Sequence, residues 1–108
     1  MMQVEVREHI YRIMPVRPGM LAEELTEREE GVIERHFEYL KDLTERGMVR
    51  LAGRTLVTDG SGFGIVILLT GDPGEAQRIM EADPAVAEGV MSGALFPFRT
   101  ALTGGDAP

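Results

Sequence analysis

Two side chains in this chain of 108 residues titrate near neutrality, His9 and His36. His9 stands between Glu8 and Ile10 in an alternating stretch and shares a face with Arg7 and Tyr11 by parity. It reads as a surface or interface histidine. His36 is four residues after Val32 and four before Leu40, so it belongs to an apolar helical stripe where Leu or Ala would serve a purely structural helix better. A core-facing imidazole needs a hydrogen-bond partner. A satisfied core histidine is the simpler account from the residues alone; a general acid/base is the alternative.

Asp83 is the candidate partner. Asp before Pro84 at a helix start is first of all an N-cap. If the second helix lies beside the first, the same carboxylate approaches His36 and fixes its tautomer.

Other chemistry is disfavoured by what the chain contains. Cysteine is absent, which removes thiolate nucleophiles, disulfides and sulfur metal sites. Lys41 is the lone lysine, so a Schiff base has one candidate, on a polar helix face. No Ser-His-Asp pattern with a nucleophile elbow is present. Two histidines without His-x-x-x-His spacing argue against a catalytic metal, and neither metal nor cofactor is expected. The run Gly60-Ser61-Gly62-Phe63-Gly64 precedes a strand rather than a helix, so it reads as a hairpin loop and not a phosphate cradle.

The elements that must position these residues follow from periodicity and punctuation. Residues 3–14 alternate apolar and polar and predict a strand, ended by Pro15 and Pro18-Gly19. Residues 20–25 are a connector with a short helical turn as one option. Thr26 and Glu29 form a capping box, and the helix behind it carries Val32, Ile33, His36, Phe37, Leu40 and Leu43 on one stripe before Gly47 stops it. Met48 to Val57 predicts a second strand and 58–62 a hairpin loop. Residues 63–70 lack alternation, which predicts a third strand buried on both faces. Asp72-Pro73-Gly74-Glu75 starts a second helix with Ala76, Ile79 and Met80 on its inner stripe. A short turn from Asp83 to Gly89 leads to a last strand, Val90 to Ala101, which Pro97 marks as an edge or a bulge.

The order is β-α-β-β-α-β, a ferredoxin-like α+β plan with an antiparallel sheet and both helices on one face. Residues 1–102 read as one domain and 103–108 as a loose tail. Two helices cover one face of such a sheet. The last strand nevertheless places Val90, Ala94, Phe96 and Phe98 on one face and Met91 and Leu95 on the other. A bare apolar sheet face marks an interface, so a homodimer with sheets packed face to face is expected. The competing arrangement folds the connector 15–25 over that face.

The formal charge is −7, with 18 acidic against 11 basic side chains. Nine of the acids fall between Glu23 and Glu45, mostly off the apolar stripe, and form a solvated face. This balance argues against nucleic acid and anionic membranes, which need clustered Lys and Arg. No apolar run reaches the roughly 20 residues of a membrane span, and the acidic first residues do not resemble a secretion signal. A cytoplasmic protein is expected.

Several stretches then resemble the YCII-related (YciI-like) domain family: His36-Phe37-Glu38-Tyr39-Leu40, Gly47-Met48-Val49, Ala52-Gly53, the apolar strand 63–69, Ala82-Asp83-Pro84, Gly89-Val90 and Pro97-Phe98. The resemblance runs from about residue 30 to 100. It implies a dimeric α+β barrel and a pocket between helices and sheet holding a His-Asp pair, matched here by His36 and Asp83. It implies a small-molecule ligand, and relatives of the barrel act as isomerases, dehalogenating lyases or monooxygenases. The expected function is a small-molecule isomerase or lyase with a His36-Asp83 dyad as general acid/base. A non-catalytic dimeric binding or accessory module is the alternative, and a cofactor-independent oxygenase a third reading. Many members have Pro after the Ala-Gly pair; here Arg54 stands there, either as an anion binder or as a solvated strand residue. Arg54 and Tyr11 are the candidate substrate-binding residues.

Overall fold

A computed structural model describes residues 5–20 and 24–105. The order is β1 (Glu8–Pro15), α1 (Glu27–Glu45), β2 (Val49–Arg54), β3 (Gly64–Leu68), α2 (Pro73–Ala82), α3 (Pro84–Ala87) and β4 (Met91–Phe98). The four strands form one sheet in the order β2-β3-β1-β4, with every neighbouring pair antiparallel. This is the ferredoxin-like α+β arrangement that the element order predicts. Several expected boundaries shorten. β1 starts at Glu8 rather than residue 3, and β2 and β4 end at Arg54 and Phe98.

Local chemistry starts the helices. Thr26 Oγ1 accepts from the Glu29 amide at 3.1 Å, and Glu29 Oε1 accepts from the Thr26 amide at 2.9 Å, which completes the capping box. At the far end Gly47 takes φ 77°, a conformation that costs a residue with a Cβ about 1–2 kcal/mol. Asp72 caps α2 through the Gly74 amide at 2.9 Å, with Pro73 at the first helical position.

The core lies between the helices and one face of the sheet. Tyr11 and Ile13 of β1, Val66 and Leu68 of β3, Val49 of β2, Leu40 and Leu43 of α1 and Ala76 and Met80 of α2 pack into one cluster. Gly93 lets α2 settle onto β4, since a Cβ there would stand 2.9 Å from Met80 Sδ. A second cluster joins Met20, Val32 and Val90, with Leu25 and Ile33 against it. Met20 thus draws the described part of the connector to the helix side of the sheet. It does not cover the other face; residues 21–23 lie outside the described set.

Two expectations change here, and that for Pro97 holds. Phe37 is 63% exposed, so it leaves the buried stripe. The third strand is buried at Val66, Ile67 and Leu68, but Phe63 and Leu69 beyond its ends are each 38% exposed. Its continuous apolar run reflects a central position between β2 and β1, where both edges are paired. Pro97 is accommodated because β4 is an edge strand. Coil runs from 99 to 105, and positions 106–108 of the expected tail lie outside the described residues.

The helix-free face carries Ile10 and Met14 of β1, Leu51 of β2, Ile65 and Ile67 of β3, and Ala94 and Phe96 of β4, by register. Phe96 is 46% and Leu51 49% exposed. Arg12 is its central charge, its guanidinium 5.9 Å from the centre of the Phe96 ring.

Candidate active site

Asp83 closes α2 and opens α3, a position its sequence neighbours dictate. Pro84 cannot continue the α2 hydrogen-bond ladder but suits the first position of a new helix. The Asp83 side chain caps that helix by accepting the Ala85 amide at Oδ1, 2.9 Å away. Arg35 pairs with the Glu88 carboxylate and Arg28 donates to the Glu88 carbonyl, which lashes the end of α3 to α1. The cap residue is thereby brought against the middle of α1.

There it meets His36. The imidazole Nδ1 lies 2.7 Å from Asp83 Oδ1 and 2.9 Å from Oδ2. Tyr11 completes the cluster from β1, its hydroxyl donating to Asp83 Oδ2 at 2.8 Å. Asp83 and Tyr11 are both fully buried. Burial first, and then the Asp83 charge, push the Tyr11 phenol well above its ordinary range, so it stays protonated and keeps donating. With the Ala85 amide donating to the same carboxylate, the consistent arrangement has Nδ1 carrying its proton toward Asp83. The Nε2 lone pair is then left unprotonated on the neutral ring. No buried side-chain nitrogen or oxygen among the described residues lacks a partner, and Nε2 makes no hydrogen bond, so Nε2 is reachable from outside.

His36 opens onto a cleft of about 980 Å³ between α1 and the β2–β3 side of the sheet. That volume is at the upper end of small-ligand sites, roughly 300–1,000 Å³. Ile33, Phe37 and Leu40 line it from α1, Leu51 to Arg54 from β2, and Gly64 to Val66 from β3. Gly64 keeps the floor low: a Cβ there would come within 3.2 Å of Ile13 Cγ1 and 3.4 Å of the Gly53 carbonyl. The exposure of Phe37 now has a location, since its ring is a wall of this cleft.

The expected site residues therefore separate. His36 and Asp83 are in contact. Arg54 lines the same cleft as His36. Tyr11 does not line it; its hydroxyl is spent on Asp83, which corrects its expected place against substrate. His9, expected at a surface or interface, is 2% exposed and its Nδ1 lies 2.9 Å from the Thr70 carbonyl. Register explains the difference, because His9 pairs with Leu68 on the helix side, as Tyr11 pairs with Val66. The Tyr11–Asp83 bond was not foreseen. Its one sequence cue is that Tyr11 and Ile13 share a core-facing parity, and a buried phenol needs a partner.

The remaining buried polar groups serve the scaffold. Glu29 also accepts Arg17 Nε and Nη2 at 2.8 and 2.7 Å, and these bonds, with the Thr26 amide, hold its carboxyl down at about 2. Glu8 ties Arg50 and Thr100 together, and the Thr100 amide leads in lowering its carboxyl below the usual range. No group of three or more His, Asp or Glu able to hold a metal occurs among the described residues. No helix there is long and apolar enough to cross a membrane.

Among solved structures, 5-chloro-2-hydroxyhydroquinone dehydrochlorinase (TftG) from Burkholderia phenoliruptrix AC1100, in complex with 2,5-dihydroxybenzoquinone, matches with a TM-score of 0.60. The identity is 19%, over 84% of this chain and 93% of that one, a likeness of fold. No curated protein sequence matches the chain. The profile of the YCII-related domain matches residues 10–99, which takes in His36, Arg54 and Asp83 together with β2, β3, β4 and β1 from Ile10 onward, and the chain belongs to the YCII-related domain family.

Proposed function

We propose that this protein is a small-molecule enzyme of the isomerase or lyase type, in which His36 moves a proton and Asp83 holds its ring. The observation that carries this reading is the His36 imidazole at the cleft wall, with Nδ1 tied to a fully buried carboxylate and Nε2 reachable. Nε2 takes a proton from a carbon beside a carbonyl, or from a ring hydroxyl. The resulting imidazolium is stabilised by Asp83. In an isomerisation the proton returns to a different atom; in an elimination a leaving group departs with its bonding electrons. A base positioned this way contributes about 10²–10⁴-fold. The ring chemistry of the dehydrochlorinase with the same fold supports hydroxylated or quinonoid rings as first substrates to try.

The test is chloride release from 5-chloro-2-hydroxyhydroquinone, together with deuterium uptake from D₂O into a panel of cyclic ketones and hydroxyquinones. His36→Ala, with folding checked by circular dichroism, is expected to lower either activity by about 10²–10⁴-fold. Activity within tenfold of wild type in the folded variant overturns the reading. A protein that binds 2,5-dihydroxybenzoquinone equally well with and without His36 and turns nothing over is instead a binding module.

The same proposal includes a homodimer through the helix-free face. Ile10, Leu51, Ile65, Ala94 and Phe96 make that face apolar, with Leu51 49% and Phe96 46% exposed on it. A second copy placed sheet to sheet removes this surface from water. Sedimentation should give twice the chain mass of 11.9 kDa, and Phe96→Glu should return the single chain.

A further inference from the structure

Lys41 and Arg54 set the cleft apart from the rest of an acidic protein. Arg7, Arg17, Arg35, Arg46 and Arg50 each have a carboxylate partner. Arg28 holds the Glu88 carbonyl and Arg12 lies over Phe96. Lys41 and Arg54 make no ion pair or hydrogen bond among the described residues, and both line the cleft that His36 opens onto. Arg78 and Arg99 are also without partners, but neither lines the cleft. One acid, Glu45, is among the lining residues.

Two unneutralised cations beside apolar walls, in a chain of net charge −7, form a local reversal of field. Both cations are exposed, and such a site raises the local concentration of anions. The placement of each cation has a simple cause. Arg54 pairs with Gly64 in the sheet register, on the side facing α1. Lys41 follows His36 by five residues on α1, about 7–8 Å along the axis and roughly 140° around it, and four residues after Phe37, so it reaches the cleft on the Phe37 side of the helix.

We propose that the cleft takes a small organic anion with an apolar body, whose carboxylate or enolate oxygen is bound by Arg54 and Lys41 while its carbon skeleton lies against Phe37, Leu40 and the His36 ring. This names a substrate class for the site and rests on the reading of His36 as the group that meets substrate. It also gives the charge formed by proton removal a place to go. Loss of a proton to Nε2 leaves a negative oxygen on the substrate, and a guanidinium or ammonium donates charge-assisted hydrogen bonds to that oxygen.

The test uses matched acid and amide pairs of equal shape: benzoate with benzamide, cyclohexanecarboxylate with its amide, and pentanoate with its amide. Binding is followed by NMR at low and high salt on the wild type and on the Arg54→Gln, Lys41→Gln double variant. At least one acid should bind about tenfold or more tighter than its amide, the worth of one charge-assisted hydrogen bond. The preference should fall with added salt and vanish in the double variant. Three results overturn the proposal: equal binding of acid and amide, a preference that survives in the double variant, or no binding of any acid. The two readings fail separately. If His36→Ala keeps the acid preference and His36-dependent proton transfer is never found, the anion site stands without the enzyme. If proton transfer depends on His36 but occurs equally on neutral substrates and in the double variant, the enzyme stands without the anion site.

Discussion

His9 and His36 are the same residue in two nearly opposite settings. Both fix Nδ1 at hydrogen-bond distance from an oxygen, 2.9 Å for His9 and 2.7 Å for His36. The His9 partner is the neutral carbonyl of Thr70, and the residue is 2% exposed within the sheet. The His36 partner is a buried carboxylate, and the ring forms part of a cleft wall. A carbonyl orients an imidazole but gains little if it becomes charged. A carboxylate orients it and also stabilises the imidazolium that proton transfer creates. The acceptor and the access, not the burial, separate a histidine that holds the fold from one suited to chemistry.

The sharpest break of this contrast exchanges the two roles by deletion. His36→Ala should lower turnover per folded molecule by about 10²–10⁴-fold and, by leaving the buried Asp83 carboxylate one donor short, should also lower the melting temperature. His9→Ala should leave activity per folded molecule unchanged. If His9→Ala removes activity in a protein that is still folded, the distinction fails.

Asp83→Ala should strike both stability and activity. It removes the α3 cap, strands the buried Tyr11 hydroxyl and frees the His36 ring. Breaking a buried pair of this kind costs about 3–5 kcal/mol, readable in urea or thermal unfolding. In whatever fraction stays folded, nitrogen NMR should show the neutral His36 ring losing its single Nδ1–H tautomer. A tautomer unchanged from wild type removes Asp83 as the orienting group.

His9→Ala comes next in stability, with an expected loss of about 2–3 kcal/mol from the cavity and the unpaired Thr70 carbonyl. Tyr11→Phe stands beside it, at about 1.5–3 kcal/mol for one hydrogen bond to a charged carboxylate. It sharpens the comparison because the phenol touches Asp83 and no part of the cleft. A positioning role predicts a fall in kcat with KM unchanged, whereas substrate contact predicts a rise in KM.

The acid limb supplies a control that involves neither imidazole. Glu29 has its carboxyl lowered from 4.5 to about 2 in the folded state, mainly by Arg17. A depressed carboxyl contributes stability that is present above its unfolded value and is lost as pH falls through its folded value. The Glu29 share should therefore fade between about 4.5 and 2, and Arg17→Gln should flatten the unfolding curve in that window. An unchanged acid limb in Arg17→Gln would remove this link.

Most elements of the fold were legible because their causes are local. The Thr26–Glu29 capping box, the Pro73 and Pro84 helix starts and the Gly47 stop each depend on residues within a few positions. Burial of the third strand on both faces was visible in its lack of alternation, and holds over Val66 to Leu68. The strand ends were less legible, because pairing partners rather than composition decide where a ladder stops. The candidate site was half legible. His36 stood out as a polar residue on an apolar stripe, and Asp83 as an Asp-Pro cap. Their meeting crosses 47 positions and depends on α3 being lashed to α1 through Glu88.

The sequence by itself determined which segments become helices and strands, which faces are apolar, and which few side chains can move a proton. Local hydrogen bonding and hydrophobic period carry that information without knowledge of the rest of the chain. Only the tertiary structure decided that Asp83 serves His36 as well as its own helix, that Tyr11 backs the carboxylate instead of reaching the cleft, and that His9 is buried. Those outcomes depend on sheet register and on how helices dock. Both are set by contacts between residues far apart in the chain, where one position of slip would turn each side chain to the opposite face.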